Sequence, residues 1–505
     1  MTKGLVPPKI REQSTRLHPG GKLCHWRFLV NTGLKTRLAL HWSGVALGII
    51  LCGISAWPEA GYSAKPMAAE HQITHTRSGH ILTNFGVWSP DGQWIVYDTR
   101  SDAAGEVFDG ERIEMVQVAT GEVRILYQSR NKTHCGVALF HPLQRKVVFI
   151  LGPEHPSEDW QYSACHRDGV IVDISAPGKI WNLDARDISP PFTPGALRGG
   201  SHVHVWDAAG EWVSFTYEDH VLSRYKADEA GHECNLRNVG VGTPIGPVLV
   251  PKGEARNHDG ASFSVLVTQT VSDPKPGSDE ISKAFEEGWV GTNGYVRADG
   301  KRRQHALAFQ GQLVTEQRQT IAEVFIVDLP DDLTVAGAGP LQGTETTRPV
   351  PPRGTVQRRL TFTANRKYPG LQGPRHWLRS SPDGGQIAFL MRDDKGIVQL
   401  WTISPCGGAP RQLTDGAHSI GSSFTWSPDG QWITHLLEEA VCITDTRNGQ
   451  TRRLTGSFEG AGAPRPEACV FSPDGKQIAY VRPVWMDGRH YNQVFVIDTS
   501  SFQAR

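Results

Sequence analysis

The chain has 505 residues, with 52 basic and 52 acidic side chains and a formal net charge of zero. That balance argues against electrostatic nucleic-acid binding as the main task, because such binding needs a basic surface. Apolar residues at 38% and aromatics at 9% support a packed core, and 54 glycines with 33 prolines supply the turns of an all-β fold.

The N-terminus stands apart. "KTRLALHWSGVALGIILCGISAWPEAGYSA" (35–64) puts basic residues before an apolar run from about Leu38 to Pro58, then small residues near Gly61 to Ala64. This reads as a secretory signal with a late start or an uncleaved membrane anchor, and predicts a periplasmic or membrane-anchored protein. The competing reading starts translation at Met67, makes 1–66 non-native and leaves a cytoplasmic protein. The eight cysteines form no CxxC pair, and several sit in apolar runs such as "EACVF" and "AVCIT". Buried reduced thiols are expected, with no disulfide framework or zinc ribbon.

From about residue 70 a hairpin repeats. "WSPDGQWIVYDTR" (88–100) sets the pattern: apolar strand, S-P-D-G turn, apolar strand. "GVALFHPLQRKVVFI" (136–150) keeps the form with an H-P turn, and "HVHVWDAAGEWVSFTYEDH" (202–220) keeps the tryptophan and glycine register. "IGPVLVPKGEARNHDGASFSVLVTQTV" (245–271) reads as a fourth copy with a longer turn. An insertion of about 271–304 follows, in which "SDEISKAFEEGW" (278–289) predicts a short helix with a capping-type start. "GTETTRPVPPRG" (343–354) reads as a loop. The last three copies are "SSPDGGQIAFLMRDD" (380–394), "WSPDGQWITHLLEE" (426–439) and "FSPDGKQIAYVRP" (471–483).

From Ser381 to Ser427 is 46 residues, and from Ser427 to Ser472 is 45, the period of a propeller blade. "QRRLTFT" (357–363), "PRQLTDG" (410–416) and "RRLTGS" (452–457) are outer strands that precede the next blade. The last unit lacks one, and "HQITHT" (71–76) is an orphan copy of it. The expectation is an all-β, seven-bladed β-propeller spanning 70–505, closed by its N-terminal strand and carrying a short helical insertion.

These S-P-D-G hairpins with trailing "QLT" strands resemble the TolB-like (PD40-type) β-propeller repeats over nearly all of 70–505. More narrowly, "GPEHPSEDW", "GGSHVHVW", "EEGWVG", "RRLTFTANRKYPG" and "FLMRDDKGIVQLW" resemble the YidR-type family of TolB-like proteins. That resemblance implies the propeller and says little of activity. A shorter one is to oligogalacturonate lyases, propellers that hold manganese with histidines including an H-x-H before a blade hairpin. His202 and His204 match that pair, while Gly199 stands where the family has a glutamine ligand.

On a regular strand the H-x-H spacing puts both imidazoles on one face. Aligning the units places Asn84, His202, His376 and Glu467 at equivalent positions, and Arg100, Asp219 and Arg392 after the second strands should open on the same rim. The candidate metal ligands are therefore His202, His204 and His376, for Mn²⁺ by the lyase resemblance. Asn84, Arg100, Asp219, Arg392 and Glu467 are the candidate ligand rim. The first functional reading is a binding or interaction protein, a monomer using this rim for a protein partner or an acidic oligosaccharide. The second is a divalent-metal-dependent lyase or hydrolase acting on acidic carbohydrate. No P-loop, HExxH or α/β-hydrolase segment accompanies the ring.

Overall fold

A computed structural model describes residues 69–102, 107–226, 231–458, 460–467 and 469–500. The segment read as a leader or anchor, 1–66, lies outside the described residues. Among the described residues no helix is long and apolar enough to cross a membrane.

Seven four-stranded antiparallel sheets form the blades, meanders in all but the last, which takes its outer strand from the other end of the ring. Their innermost strands are Gly79–Ile81, Cys135–Phe140, Gly199–Trp206, Lys283–Trp289, Arg379–Ser380, Thr425–Trp426 and Cys469–Phe471, blades 1 to 7 in chain order. The seventh blade takes Glu70–Gln72 as its outer strand, with His71 opposite Val496. Ring closure by the orphan strand is therefore as the repeat implied.

The chemistry of the turn explains the repeated S-P-D-G. Ser89 Oγ accepts the Trp94 N–H at 2.9 Å, Asp91 accepts the Gln93 N–H at 3.1 Å, and Gly92 takes φ +68°. A side chain would strain that left-handed conformation. Blade 3 does the same work with Asp207, which accepts from Glu211 and Trp212. Blade 2 uses His141 Nδ1, which accepts from Leu143 and Gln144.

Each blade interface has its own apolar cluster. Blades 1 and 2 share Val96, Ile113, Phe140 and Phe149, and blades 3 and 4 share Val239, Val265, Leu307 and Phe325. The closing seam buries Ile73, Trp88, Val481 and Val494 together. Three indole N–H groups reach the preceding blade, Trp88 to Val470 O, Trp289 to Val205 O and Trp426 to Arg379 O, at 2.9–3.0 Å.

Blade 4 departs from the sequence expectation. The 278–289 segment is not a helix: Lys283–Trp289 is the innermost strand, paired with Ala306–Val314. The only helical turns among the described residues are the 3₁₀ turns Ala164–His166 and Gly460–Gly462. Ser278 closes a turn onto Lys275 O instead of capping a helix. Pairing with a nine-residue strand overrides the local signal, as sheet context commonly does. Segment 245–271 is accordingly not a first strand, and its Phe263–Leu266 forms the outer edge of blade 3. What interrupts blade 4 is a small hairpin, Tyr295–Val296 with Arg302–Arg303.

Candidate functional site

The site begins with a backbone irregularity in three consecutive blades. Each innermost strand of blades 2, 3 and 4 slips register, between Gly136 and Leu139, His202 and Val205, and Phe285 and Gly288. One residue in each bulge holds positive φ: Val137 at 58°, Val203 at 56° and Glu286 at 54°. Such strain in non-glycine residues costs of order 1–3 kcal/mol and concentrates at working sites.

The bulge separates the two histidines that regular alternation would place together. His204 is fully buried between blades 2 and 3, its Nε2 2.9 Å from Ser201 Oγ and 3.3 Å from Asp184 Oδ2. His202 is half-buried and faces elsewhere, among Arg167, Arg237 and Arg375. Burial and those guanidinium groups hold its imidazole well below the usual histidine range, so it is neutral. His376 does not join them. Its Nδ1 lies 2.9 Å from Pro374 O and its Nε2 accepts the Leu390 N–H at 3.1 Å. Ser422 does the same for Leu436 in the next blade, which gives that aligned position a structural task.

The manganese expectation therefore lacks its donors. His204 and His376 are engaged by protein groups, and no group of three His, Cys, Asp or Glu side chains among the described residues is arranged for a metal. We expect His204→Ala to cost about 2–3 kcal/mol by emptying the volume of a fully buried ring, while Ser201 and Asp184 keep each other at 2.7 Å. His202→Ala should cost under about 1 kcal/mol, and urea unfolding of both variants measures the difference.

Most of the expected rim is also structural. Arg100 is buried on Asp98 at 2.6 Å. Asp219 is buried against Arg198 at 2.9 Å. Glu467 pairs with Arg465 at 2.7 Å. Arg392 is exposed, with its guanidinium over Tyr368. Asn84 alone of the five reaches the charged cluster. Its Oδ1 accepts from Arg379 Nη2 at 2.9 Å, and its Nδ2 donates to Ser423 Oγ at 3.3 Å. Blades 1, 5 and 6 thus meet across the axis, and Arg379 lies over the half-exposed Phe85 ring at 4.8 Å.

Around this bridge the charges gather. Glu286 Oε1 binds Arg375 Nε at 2.7 Å, while its Oε2 is buried without a partner. Glu287 is completely buried and neither carboxyl oxygen has a partner. Burial, then the neighbouring Glu286, push its carboxyl up to about 8. Arg379 also keeps an unpartnered Nε, and burial brings it down to about 10, still a cation at neutral pH. Lys283, lowered by burial and by Arg237, and the Arg237–Glu218 pair at 2.8 Å complete the mouth. Arg167, Arg237, Lys283, Arg375 and Arg379 thus outnumber Glu218, Glu286 and Glu287 in this cluster. This arrangement can hold an anion and offer it hydrogen bonds from desolvated donors.

A separate cleft of about 750 Å³ lies at the ring seam, lined by His71, Gln72, His75, Gln117 and Thr120 among others. No acidic, lysine or arginine side chain lines it. The charged cluster around Glu286 does not line it.

The residues that make this cluster were not singled out from the sequence. Trp289 carried the missing signal: aligned with Trp206, it puts Glu287 in register with His204 and makes "EEGW" an inner strand.

A family model described as a protein of unknown function, DUF3748, matches residues 134–258. Among solved structures, the oligogalacturonate lyase of Vibrio parahaemolyticus superposes with a TM-score of 0.50 at 8% identity, covering 86% of this chain and 95% of that one. TolB of Acinetobacter baumannii aligns at TM-score 0.32 and 13% identity, covering 81% of each chain. At these identities the likeness concerns the fold alone. The uncharacterized protein YidR of Escherichia coli K12 is 49% identical over 435 residues, 85% of this chain and 97% of that protein. Identity at that level along nearly the whole of YidR places it beyond a shared fold, and the chain belongs to the YidR family.

Proposed function

We propose that this propeller is a binding protein whose ligand enters the central channel and carries carboxylates, an acidic oligosaccharide being the class that fits. One observation carries the reading: five basic side chains from blades 2 to 5, Arg167, Arg237, Lys283, Arg375 and Arg379, gather around His202 and Glu286. Arg379 bridges to blade 1 across the axis, so the channel suits a slender chain end better than a folded surface. Phe85 supplies an apolar platform beside the charges, as sites with few convergent polar groups do. The lyase reading with manganese finds no matching donor set among the described residues and is not adopted.

Titration calorimetry with trigalacturonate, and with neutral maltotriose as the control, tests this. The expected result is binding of the acidic trimer alone, weakened at least about tenfold by Arg375→Ala, since a charge-assisted hydrogen bond is worth about 1.5–3 kcal/mol. Equal binding of both sugars, or acid binding unaffected by Arg375→Ala, overturns it.

A further inference from the structure

We propose that the cleft at the ring seam receives an arginine side chain presented by a partner protein. The ring itself supplies the template, because its own arginines fill the equivalent junctions between blades 4 and 5 and between blades 5 and 6.

The outer strands of blades 4, 5 and 7 are built alike. Leu360, Leu413 and Ile73 donate their N–H groups to Val324 O, Leu400 O and Val494 O. Thr361, Thr414 and Thr74 then accept the N–H of those same three partners. Two residues before the apolar one stand Arg358, Arg411 and His71, opposite Ile326, Thr402 and Val496. Gln412 and Gln72 match as well, their amides donating to Thr414 O and Thr74 O at 2.8 and 2.7 Å.

The turns that face these strands also correspond. In blade 6 the Thr446 N–H donates to Gln431 O and the Gly449 N–H to Asp445 O. In blade 1 the Val118 N–H donates to Gln93 O and the Gly121 N–H to Gln117 O. Thr446 and Arg447 therefore stand where blade 1 has Val118 and Ala119. Arg411 Nη2 donates to Arg447 O at 2.7 Å and reaches Thr446 O at 3.4 Å. Arg358 Nη2 donates to Pro405 O of blade 5 at 2.5 Å. At the seam the corresponding residue is the exposed His71, and no donor among the described residues reaches Val118 O or Ala119 O.

The seam is also wider. A Cβ on Gly449 would fall 1.9 Å from Leu413 O, whereas one on Gly121 would stand 3.4 Å from Ile73 O. The cleft of about 750 Å³ opens there, and His71, Val118, Ala119 and Gly121 line it. A planar guanidinium has five N–H donors and spans two carbonyls, where an ammonium acts as a single point. Asp498 pairs with the lining residue Gln477 and lies close enough to His71 for their charges to interact, which adds a negative charge beside the opening. The cleft follows the free edge of Glu70–Gln72, so an extended segment carrying the arginine can lie along that strand.

Two peptides test this on the full chain, acetyl-Gly-Arg-Gly-amide and acetyl-Gly-Lys-Gly-amide, with the backbone amide signals of Val118, Thr120 and Gly121 followed by NMR titration. The arginine peptide should shift these signals saturably and bind at least about fivefold more tightly than the lysine peptide. His71→Arg supplies the missing guanidinium from within, so it should weaken the arginine peptide at least about tenfold, the worth of a charge-assisted hydrogen bond. His71→Ala leaves the carbonyls open and should stay within about threefold of wild type. No saturable shift in wild type, equal binding of the two peptides, or an affinity unchanged by His71→Arg overturns the proposal. A loss in His71→Ala as large as in His71→Arg overturns it too, since the histidine itself would then be the contact.

Discussion

Glu287→Gln should make the protein more stable at pH 8 and leave its stability at pH 4 nearly unchanged. The sign follows from linkage. The folded carboxyl titrates at about 8 against 4.5 when unfolded, so the folded state holds its proton more tightly. Its contribution is complete below pH 4.5, declines as pH rises, and is lost by the folded value near 8. A glutamine does not titrate and follows neither limb. The difference between the two proteins should grow by on the order of 3–5 kcal/mol between pH 4 and pH 8. Urea midpoints of both proteins at pH 4, 6 and 8 measure it. Parallel midpoints across that range would mean that Glu287 ionises freely in the folded protein. A site residue that destabilises its fold at working pH is the usual signature of strain kept for function.

The propeller was legible because its turns are chemical. Ser, Asp and Gly each satisfy one backbone demand in the hairpin, so the motif survives where surrounding strands drift. Blade 4 hid because no S-P-D-G marks it. Its hairpin is interrupted by the 295–303 excursion, and its inner strand carries two glutamates where blade 2 carries Val137 and Ala138. A buried glutamate pair reads as a solvated helix face when the sequence alone is weighed.

The histidine pair failed for a backbone reason. Period two holds only in a regular strand, and Val203 at positive φ breaks it. The same bulge recurs at Glu286, where it presents chemistry rather than hiding it. Register arguments singled out Asn84 and His202, which lie beside the charged cluster. They missed Arg375 and Arg379, since nothing in "GPRHWLRSS" says which arginine crosses the axis.

Ile73→Ala should open the ring at its seam. Ile73 is 6% exposed and packs with Trp88, Val470, Val481 and Val494 from blades 1 and 7. Its N–H bonds Val494 O at 2.9 Å, and Thr74 Oγ1 accepts the Val494 N–H at 2.8 Å. Truncating a buried isoleucine to alanine costs about 2–5 kcal/mol. Ile326→Ala in blade 4, at a fully buried position, should cost a similar amount. The two differ in what opens. Every other blade is continuous in sequence with its own outer strand, whereas the seventh borrows Glu70–Gln72 from the far end of the chain. Losing that strand leaves the edge of Arg489–Asp498 unpaired, and unpaired edges invite pairing with another chain. Hydrogen exchange at Val494 should therefore accelerate selectively in Ile73→Ala, with concentration-dependent self-association below the global unfolding transition. Ile326→Ala should show neither. Uniform loss of protection in both variants would mean that the seam is as strong as any covalently continuous blade, and that closure comes from the ring as a whole rather than from its last strand.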